Sequence, residues 1–246
     1  MIGFAARALS GFTFWTPGNV VYWAKIVRVS KTLNPARFPL RLCNFTMPRL
    51  MIGISQAVRP KVMITTGTAG AIGADVLLGD VVIAAHTRFD CTTQFKNEPW
   101  ALASYQTSAL PAGVLAAITP DLTRVNASRT PGARPQPEIW TGDQQAVVVT
   151  TDLFAFDDST DFYKLQGLGR ACDMGDARVG NAMQACSGVE WYAVRNASDP
   201  QIANPNGDIK AAEQKAGQIY AEWGAFTTAA SAIATWAIID AGFNRQ

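Results

Sequence analysis

The chain has 246 residues, of which 48% are hydrophobic and 16% charged, and its formal net charge is +2. This composition is typical of a globular domain with a large buried core, and it excludes an intrinsically disordered chain. A single histidine (His86) and four scattered cysteines leave almost no ligands for a zinc site, and no stretch is long and apolar enough for a membrane-spanning helix. We therefore expect neither a metal centre nor a membrane segment.

Charge is distributed unevenly along the chain. Residues 1–61 contain nine basic side chains and no acid, and the first carboxylate is Asp75. Such a start is typical of a transit peptide or a nucleic-acid-binding arm, but large apolar residues are also frequent here, unlike in a solvated arm. We interpret residues 50–246 as the folded domain and residues 1–49 as an atypical basic N-terminal region. This region either docks on the acidic body of the protein or reflects an incorrectly derived N-terminal sequence.

The first half of the chain predicts strands separated by a helix and a glycine-rich loop. The helix stops before a proline, as helices usually do. In chain order, these elements are a strand at Val20–Val29, a helix at Leu50–Val58, a strand at Lys61–Thr65, a loop at Gly67–Gly73 and a strand at Val81–Ala85.

The second half begins with a proline-rich stretch, Asn97–Thr141, which predicts a long surface excursion containing one helix. Beyond it, short β-branched runs alternate with helical patterns, and a long Ala-rich helix follows with a permitted break near Gly224. The predicted elements are a helix at Leu110–Ile118, a strand at Ala146–Thr151, helices at Asp161–Gln166 and Asp176–Ala185, a strand at Val189–Val194 and a helix at Ile209–Ile239. The alternation predicts a single α/β domain with a central mixed, largely parallel sheet flanked by helices.

Polar residues follow three of these strands, where ligands collect in open α/β sheets. The first group is Thr65–Gly70, whose glycines permit close approach to the backbone, although it is neither a Walker A loop nor a GxGxxG motif. The second is Thr150–Phe154, in which Phe154 either stacks on a flat ring or belongs to the core. The third is Val194–Pro200, in which Asp199 is a candidate general acid tuned by Ser198 and Arg195 or, alternatively, a helix N-cap.

Together these segments resemble the signatures of the nucleoside phosphorylase and nucleoside hydrolase superfamily. The matching stretches are Arg59–Gly70 with Leu78–Ile83, then Cys172–Ala177, which is similar to the family's Asp-Met-Glu-x-Ala, and finally Val194–Asp199, which is similar to its closing Arg-x-x-Ser-Asp. Their order and approximate spacing agree with the family, and the resemblance covers roughly residues 50–246.

The resemblance implies a role for each matched position. Thr68 and Gly70 would lie beside the water or phosphate that attacks the sugar carbon, Met174 would pack under the ribose, and Asp199 would protonate the purine as the bond breaks. The catalytic candidates are thus Asp199 and Thr68, and the substrate-binding candidates are Gly67, Ala69, Gly70, Phe154 (stacking on the base), Met174, Asp176, Ser198 and Arg195.

Three departures from the family pattern bear on the reaction. The family's ribose-binding Glu falls on Gly175, with an acid displaced by one place to Asp176, and the family's N-terminal strand has no recognisable counterpart. A phosphate-binding Arg of bacterial phosphorylases is replaced by Thr65, which favours water over phosphate as the nucleophile because a guanidinium is the usual partner of a phosphate oxyanion.

The resemblance therefore implies cleavage of the N-glycosidic bond of a purine nucleoside, with hydrolysis favoured, no cofactor, and phosphate possible as a co-substrate. A non-catalytic nucleoside-binding or storage-type member is the alternative, and a nucleic-acid-associated protein is a weaker one. Family members usually pair, so we expect a homo-oligomer. Scattered cysteines favour the cytoplasm, with a secreted or periplasmic location left open.

Overall fold

A computed structural model describes residues 47–90, 94–95, 98–99, 101–126, 136–142, 146–151, 163–203 and 206–243. The helices within these ranges are α1 (Met47–Val58), α2 (Val114–Asn126), α3 (Asp176–Met183) and α4 (Ile209–Phe243). The strands are β1 (Val62–Ala71), β2 (Val81–Ile83), β3 (His86–Phe89), β4 (Gln94–Phe95), β5 (Glu98–Pro99), β6 (Ser104–Gln106), β7 (Ile139–Trp140), β8 (Val147–Thr150), β9 (Ala171–Asp173) and β10 (Glu190–Asp199).

The central feature is an eight-stranded sheet in the order β6-β3-β8-β9-β1-β10-β2-β7, with β4 and β5 paired separately. Four neighbouring pairs are parallel (β3 with β8, β8 with β9, β1 with β10, β2 with β7) and three are antiparallel (β3 with β6, β1 with β9, β10 with β2). The sheet is therefore mixed, and the predicted α/β architecture is confirmed.

Helices cover both faces of the sheet. Met63 packs in one buried cluster with Met51 of α1 and Val179 of α3. Its chain neighbour Ile64 belongs to a second cluster with Ala234 of α4. Because successive strand residues point to opposite faces, α1 and α3 lie on one side of the sheet and α4 lies on the other.

Two predicted strand ends are wrong. The strand predicted to stop at Thr65 continues to Ala71, so most of the predicted glycine loop is strand, and the strand predicted to stop at Val194 continues to Asp199. Both strands run on because they pair with each other in parallel from Val62 to Gly70, with one register shift between Ala69 and Gly70. Such pairing satisfies the backbone of glycines that have low strand propensity of their own.

The helix predictions are confirmed for α1, α3 and α4, with small shifts of their ends, and α4 runs through Gly224 without a break. The helix predicted at Leu110–Ile118 instead begins at Val114 and continues past Pro120. Pro120 and Ala116 are both exposed. The carbonyl left without its helical donor can therefore bind water, which lowers the cost of a proline inside the helix.

One predicted helix is not found. Residues 163–166 of the helix predicted at Asp161–Gln166 form a turn and irregular backbone, and residues 161 and 162 lie outside the described ranges. The predicted surface excursion also contributes β6 and β7, the two outer strands of the sheet. The strand predicted at Val20–Val29 lies outside the described residues as well.

Candidate active site

Three of the segments singled out in the sequence meet at one end of the central strands. Gly70 of β1 is the register partner of Asp199 in β10 and also of Cys172 in β9. Neighbouring strands lie about 4.8 Å apart, so these positions are immediate neighbours. Met174 follows β9 and exposes 46% of its surface beside them.

Asp199 is almost fully buried, with 3% of its surface exposed. The Ser198 hydroxyl donates a hydrogen bond of 2.8 Å to Oδ1 of Asp199. The other oxygen, Oδ2, is buried and has no hydrogen-bond partner among the described residues. Burial raises the pKa of this carboxyl to about 6, against the lowering effect of the Ser198 hydrogen bond. The side chain can therefore hold a proton near neutral pH and present an oxygen to a ligand.

A β-bulge gives Asp199 its position. Ala69 pairs with Ala197, but the next residue of β1, Gly70, pairs with Asp199, so Ser198 is an extra residue in β10. Bulges bend a strand and redirect its side chains. At this bulge the Ser198 hydroxyl lies within reach of both the Ala69 carbonyl, at 3.3 Å, and the Asp199 carboxyl.

Arg195 is held by two buried carboxylates. Its Nε and Nη2 donate to Oδ2 and Oδ1 of Asp176 at 2.7 and 2.5 Å, and Nη2 also lies 2.9 Å from Oδ2 of Asp173. Burial alone would lower the pKa of the guanidinium, but the charges of Asp176 and Asp173 raise it above its usual value. The bidentate geometry fixes the orientation of Arg195 in the sheet.

The third nitrogen of Arg195 explains why the strand contains glycine at residue 67. A Cβ at Gly67 would lie 2.6 Å from Nη1 of Arg195, closer than atoms in contact can approach. Among the described residues Nη1 has no carboxylate partner. The guanidinium therefore places Nη1 against the backbone of Gly67 and keeps this nitrogen outside the ion pairs.

Asp173 and Thr150 complete the arrangement, although their sequence context predicted no role for either. The Thr150 hydroxyl donates to Oδ1 of Asp173 at 2.7 Å and accepts from the Ala177 amide at 2.8 Å. Oδ2 of Asp173 accepts from the Asp176 amide at 2.9 Å, which caps the first turn of α3. The signals of this role in the sequence are the position of Thr150 at a strand end and that of Asp173 within the Cys172–Ala177 stretch.

The pKa of Asp173 is also raised, to about 6, first by burial and then by the neighbouring charge of Asp176. Arg195, the Thr150 hydroxyl and the Gly175 amide act against this shift. Two carboxylates thus share one guanidinium, so the cluster carries a net negative charge when both are ionised. Such a cluster repels anions and attracts hydrogen-bond donors or a developing positive charge.

The remaining predicted site residues fall in different environments. Thr68 is half-buried and pairs with Asn196, while Ala69 and Gly70 are buried in the backbone of β1. Phe154 lies outside the described residues, and its stacking role stays a prediction. Asp176 is fully buried with both oxygens bonded to Arg195, and its predicted contact with sugar hydroxyls is likewise untested.

Within the described ranges, no three His, Cys, Asp or Glu side chains lie close enough together to hold a metal ion. None of the helices described above combines the length and apolarity needed to cross a bilayer.

Comparisons with known proteins identify the family and the fold of this chain. A family model described as "Phosphorylase superfamily" matches residues 28–224, while a search of curated proteins finds no match. A 5′-methylthioadenosine/S-adenosylhomocysteine nucleosidase from Neisseria meningitidis is 18% identical, with 77% of this chain and 73% of that chain covered and a TM-score of 0.51.

Two Helicobacter pylori structures are similar to the same extent. A nucleosidase variant solved with 5′-methylthioadenosine in its active site is 18% identical over 78% of this chain and 74% of that one, with a TM-score of 0.52. A futalosine hydrolase is 15% identical over 78% and 73%, with a TM-score of 0.51.

Proposed function

Because the chain belongs to the phosphorylase superfamily, a superfamily of nucleoside-cleaving enzymes, we propose that it hydrolyses the N-glycosidic bond of a purine nucleoside without a cofactor. In this proposal Asp199 is the general acid that protonates the leaving base. The observation that carries it is the buried carboxyl of Asp199, whose Oδ2 has no partner among the described residues.

The chemistry of glycosidic cleavage suits such a group. As the bond breaks, the sugar develops positive charge and the base negative charge, so the base leaves easily only if it receives a proton. A carboxyl whose pKa is raised to about 6 by burial still carries that proton in a fraction of molecules near neutral pH. In this mechanism the O–H of Asp199 gives its proton to a ring nitrogen as the glycosidic bond breaks. Water adds to the sugar carbon and loses one proton to solvent, and Asp199 regains a proton from solvent.

Electrostatics favour water over phosphate as the nucleophile. The cation nearest to Asp199 on β10, Arg195, already has two nitrogens in ion pairs with Asp176 and Asp173. The cluster of one guanidinium and two carboxylates therefore has little attraction for a phosphate dianion, whereas it stabilises a cationic sugar. Thr65, where bacterial phosphorylases place an arginine, supports the same choice.

The sugar and base have candidate contacts on either side of Asp199. The exposed Met174 offers an apolar surface for the sugar, and the hydroxyl of the half-buried Thr68 is a candidate contact for the attacking water. We propose a purine because Asp199 suits protonation of a purine ring nitrogen. The adenosine-derived ligand of the Helicobacter pylori nucleosidase is consistent with this choice.

A second function, nucleoside binding without catalysis, is favoured by Gly175 and Asp176. A Cβ at Gly175 would meet nothing within 4 Å, and Asp176 is fully engaged by Arg195. The sugar would then lack a carboxylate that orients it for attack, and binding would not lead to cleavage.

One assay separates these functions. The protein is incubated with inosine, adenosine or methylthioadenosine, with and without phosphate, and free base is measured by chromatography. Base released without phosphate is the result we expect. Release that requires phosphate would identify a phosphorylase, and measurable nucleoside binding with no free base would identify the non-catalytic function.

We also propose that the protein is a homo-oligomer. Large apolar side chains exposed on α4, among them Trp236 with 58% and Tyr220 with 45% of their surfaces accessible, support a contact between copies. Light scattering that gives the mass of a single chain would contradict this proposal.

A further inference from the structure

The general acid shares its face of the sheet with two other polar side chains. In the pairing of β1 with β10, Thr68 lies opposite Asn196 and Gly70 lies opposite Asp199. Opposed residues point to the same face, and so do residues two apart on one strand. Because Ser198 is the extra residue of the bulge, Asn196 and Asp199 share a face although they are three residues apart. A nucleoside that meets Asp199 therefore lies on the face that carries Asn196 and Thr68.

Asn196 is the member of this group that lacks partners. Its side chain is completely buried, yet neither Oδ1 nor Nδ2 has a hydrogen-bond partner among the described residues. Leaving both ends of a buried amide unpaired is costly, so the site favours an occupant that donates to Oδ1 and accepts from Nδ2. A water molecule does both.

Thr68 offers this water an approach and a further contact. It is half-buried, whereas Asn196 is enclosed, so solvent reaches the pair from the side of Thr68. The two residues are register partners on neighbouring strands, which lie about 4.8 Å apart. A water bound to the Thr68 hydroxyl would therefore be within reach of the Asn196 amide, since each hydrogen bond spans about 2.8 Å.

The spacing along the strands suits direct attack by this water. Thr68 and Gly70 are two residues apart, so the row of Asn196 lies roughly 6.6 Å from the row of Asp199. Glycosidases in which water attacks directly hold their general acid and the group that positions the water about 6.5–9.5 Å apart. A nucleoside whose base meets Asp199 can thus place its sugar carbon beside a water on Asn196.

We propose that Asn196 is a further catalytic residue, whose amide holds the attacking water against the sugar carbon together with the Thr68 hydroxyl. The inference rests on the proposed hydrolysis. Oδ1 of Asn196 accepts one hydrogen of the water, so that a lone pair of the water oxygen faces the carbon. A neutral amide suits this task because a cationic sugar needs only a well-placed nucleophile.

The step balances without a cofactor. The electron pair of the glycosidic bond goes to the base, which takes the proton of Asp199, and the water oxygen forms the new bond to the sugar carbon. The bound water then loses one proton to solvent, and Asp199 regains one from solvent. Asn196 leaves the cycle unchanged.

The test uses methanol as a competing nucleophile in the cleavage of methylthioadenosine. Chromatography measures free base and the ratio of methyl glycoside to free sugar. Asn196→Leu removes both amide contacts with little change of size, and Asn196→Ala removes them without added bulk. We expect both variants to release base about 10²-fold more slowly with KM nearly unchanged, and to raise the product ratio about tenfold, because water is no longer held in preference to methanol.

Thr87→Val is the matched control. Thr87 of β3 is buried, its hydroxyl has no hydrogen-bond partner among the described residues, and it lies three strands from β1 in the sheet. Its loss should change neither rate nor product ratio. Base release by the Asn196 variants should still decline as pH rises through about 6, because Asp199 keeps its role. A parental product ratio, or a displaced pH profile, would show that Asn196 only supports the fold or Asp199 and would overturn the proposal.

A crystal structure of Asp199→Asn soaked with methylthioadenosine gives a readout that does not depend on turnover. Density for a water bonded to the Asn196 amide and the Thr68 hydroxyl, beside the sugar carbon, supports the proposal. A dry amide, or an amide bonded to the base or to a sugar hydroxyl, overturns it. A parent protein that releases no base overturns the proposed function and the catalytic role together, whereas a parent that releases base with no water on Asn196 overturns the role alone.

Discussion

At the residue scale, the burial of Asp199 makes a specific prediction about its proton. Asp199→Asn keeps the size and shape of the side chain but cannot donate an acidic proton. We expect the rate of base release to fall by about 10²–10⁴, the usual contribution of a general acid, with nucleoside affinity nearly unchanged. Steady-state kinetics and calorimetric titration measure the two quantities.

The pH dependence of the same variant is the control for this assignment. Base release by the parent protein should decline as pH rises through about 6, since only the protonated carboxyl is active. That decline should be absent from the residual activity of Asp199→Asn. A variant that releases base as fast as the parent would show that another group protonates the leaving base.

Gly67 provides a second residue-scale prediction because its missing side chain makes room for Arg195. In Gly67→Ala the new Cβ would lie 2.6 Å from Nη1, so the guanidinium must move away from Asp176 and Asp173. We expect base release to fall at least tenfold and the free energy of unfolding to fall by about 1–3 kcal/mol, as for other overpacked sites. Urea denaturation and kinetics check the two effects.

The matched control is Gly53→Ala, an exposed glycine of α1 with nothing within 4 Å of a new Cβ. Alanine is the better helix former by about 1 kcal/mol, so this variant should be slightly more stable and fully active. Equal behaviour of the two alanine variants would mean that Arg195 tolerates displacement.

At the element scale, α3 packs against β6 through a glycine. A Cβ at Gly180 would lie 2.6 Å from Cβ of Tyr105, a fully buried side chain that cannot move aside. Gly180→Ala should therefore reduce the free energy of unfolding by about 1–3 kcal/mol despite the better helix propensity of alanine. Gly217→Ala, on an exposed part of α4, should instead increase it by up to about 1 kcal/mol. Thermal denaturation measures both changes in stability. If packing did not control the effect, the melting temperatures of the two variants would shift in the same direction.

The same elements show how much of the fold the sequence could predict. The helices α1 and α4 follow from local patterns, because the apolar spacing of α1, the proline that follows it and the Ala-rich composition of α4 can each be read from consecutive residues. The length of β1 cannot be predicted in this way. Gly67 lies in the strand because a side chain there would collide with Arg195, and no local rule connects two residues so distant in the chain.

Some residues of the candidate site could likewise be identified from the sequence, and others only from the folded structure. Asp199 and Gly70 could be singled out because motifs mark them, and the structure makes them register partners. The part played by Thr150 and Asp173 depends on a hydrogen bond between β8 and β9, which appears only when the sheet is assembled. Asn196 occupies a variable position of the closing motif, and only its burial without hydrogen-bond partners among the described residues draws attention to it.

At the scale of the whole molecule, the two buried acids make stability depend on pH. Asp199 and Asp173 each have a pKa of about 6 instead of the usual 3.8, in both cases chiefly because of burial. Between these values the folded state binds more protons than the unfolded state, so stability is greatest below about pH 4 with respect to these groups and is lost as pH rises through 6.

Asp199→Asn should therefore be more stable than the parent at pH 7.5, by at most about 3 kcal/mol, with no difference at pH 4. Urea denaturation at several pH values measures this difference. Glu213→Gln, at an exposed position of α4, should leave the pH dependence of the parent unchanged. A parent and an Asp199→Asn variant with parallel stability curves would contradict the assignment of a buried, protonated carboxyl.

The direction of α4 has a practical consequence for measuring this protein. Thr66 contacts Ser231 and Thr235, and Val62 clusters with Ile238, so the helix runs away from Asp199 as it proceeds. With rises of 1.5 Å per helical and 3.3 Å per strand residue, its last turn lies about 25 Å from Asp199. A fluorophore or a biosensor surface coupled to that turn would leave the mouth of the site clear, and a donor dye there would be well placed to report by energy transfer on a labelled nucleoside.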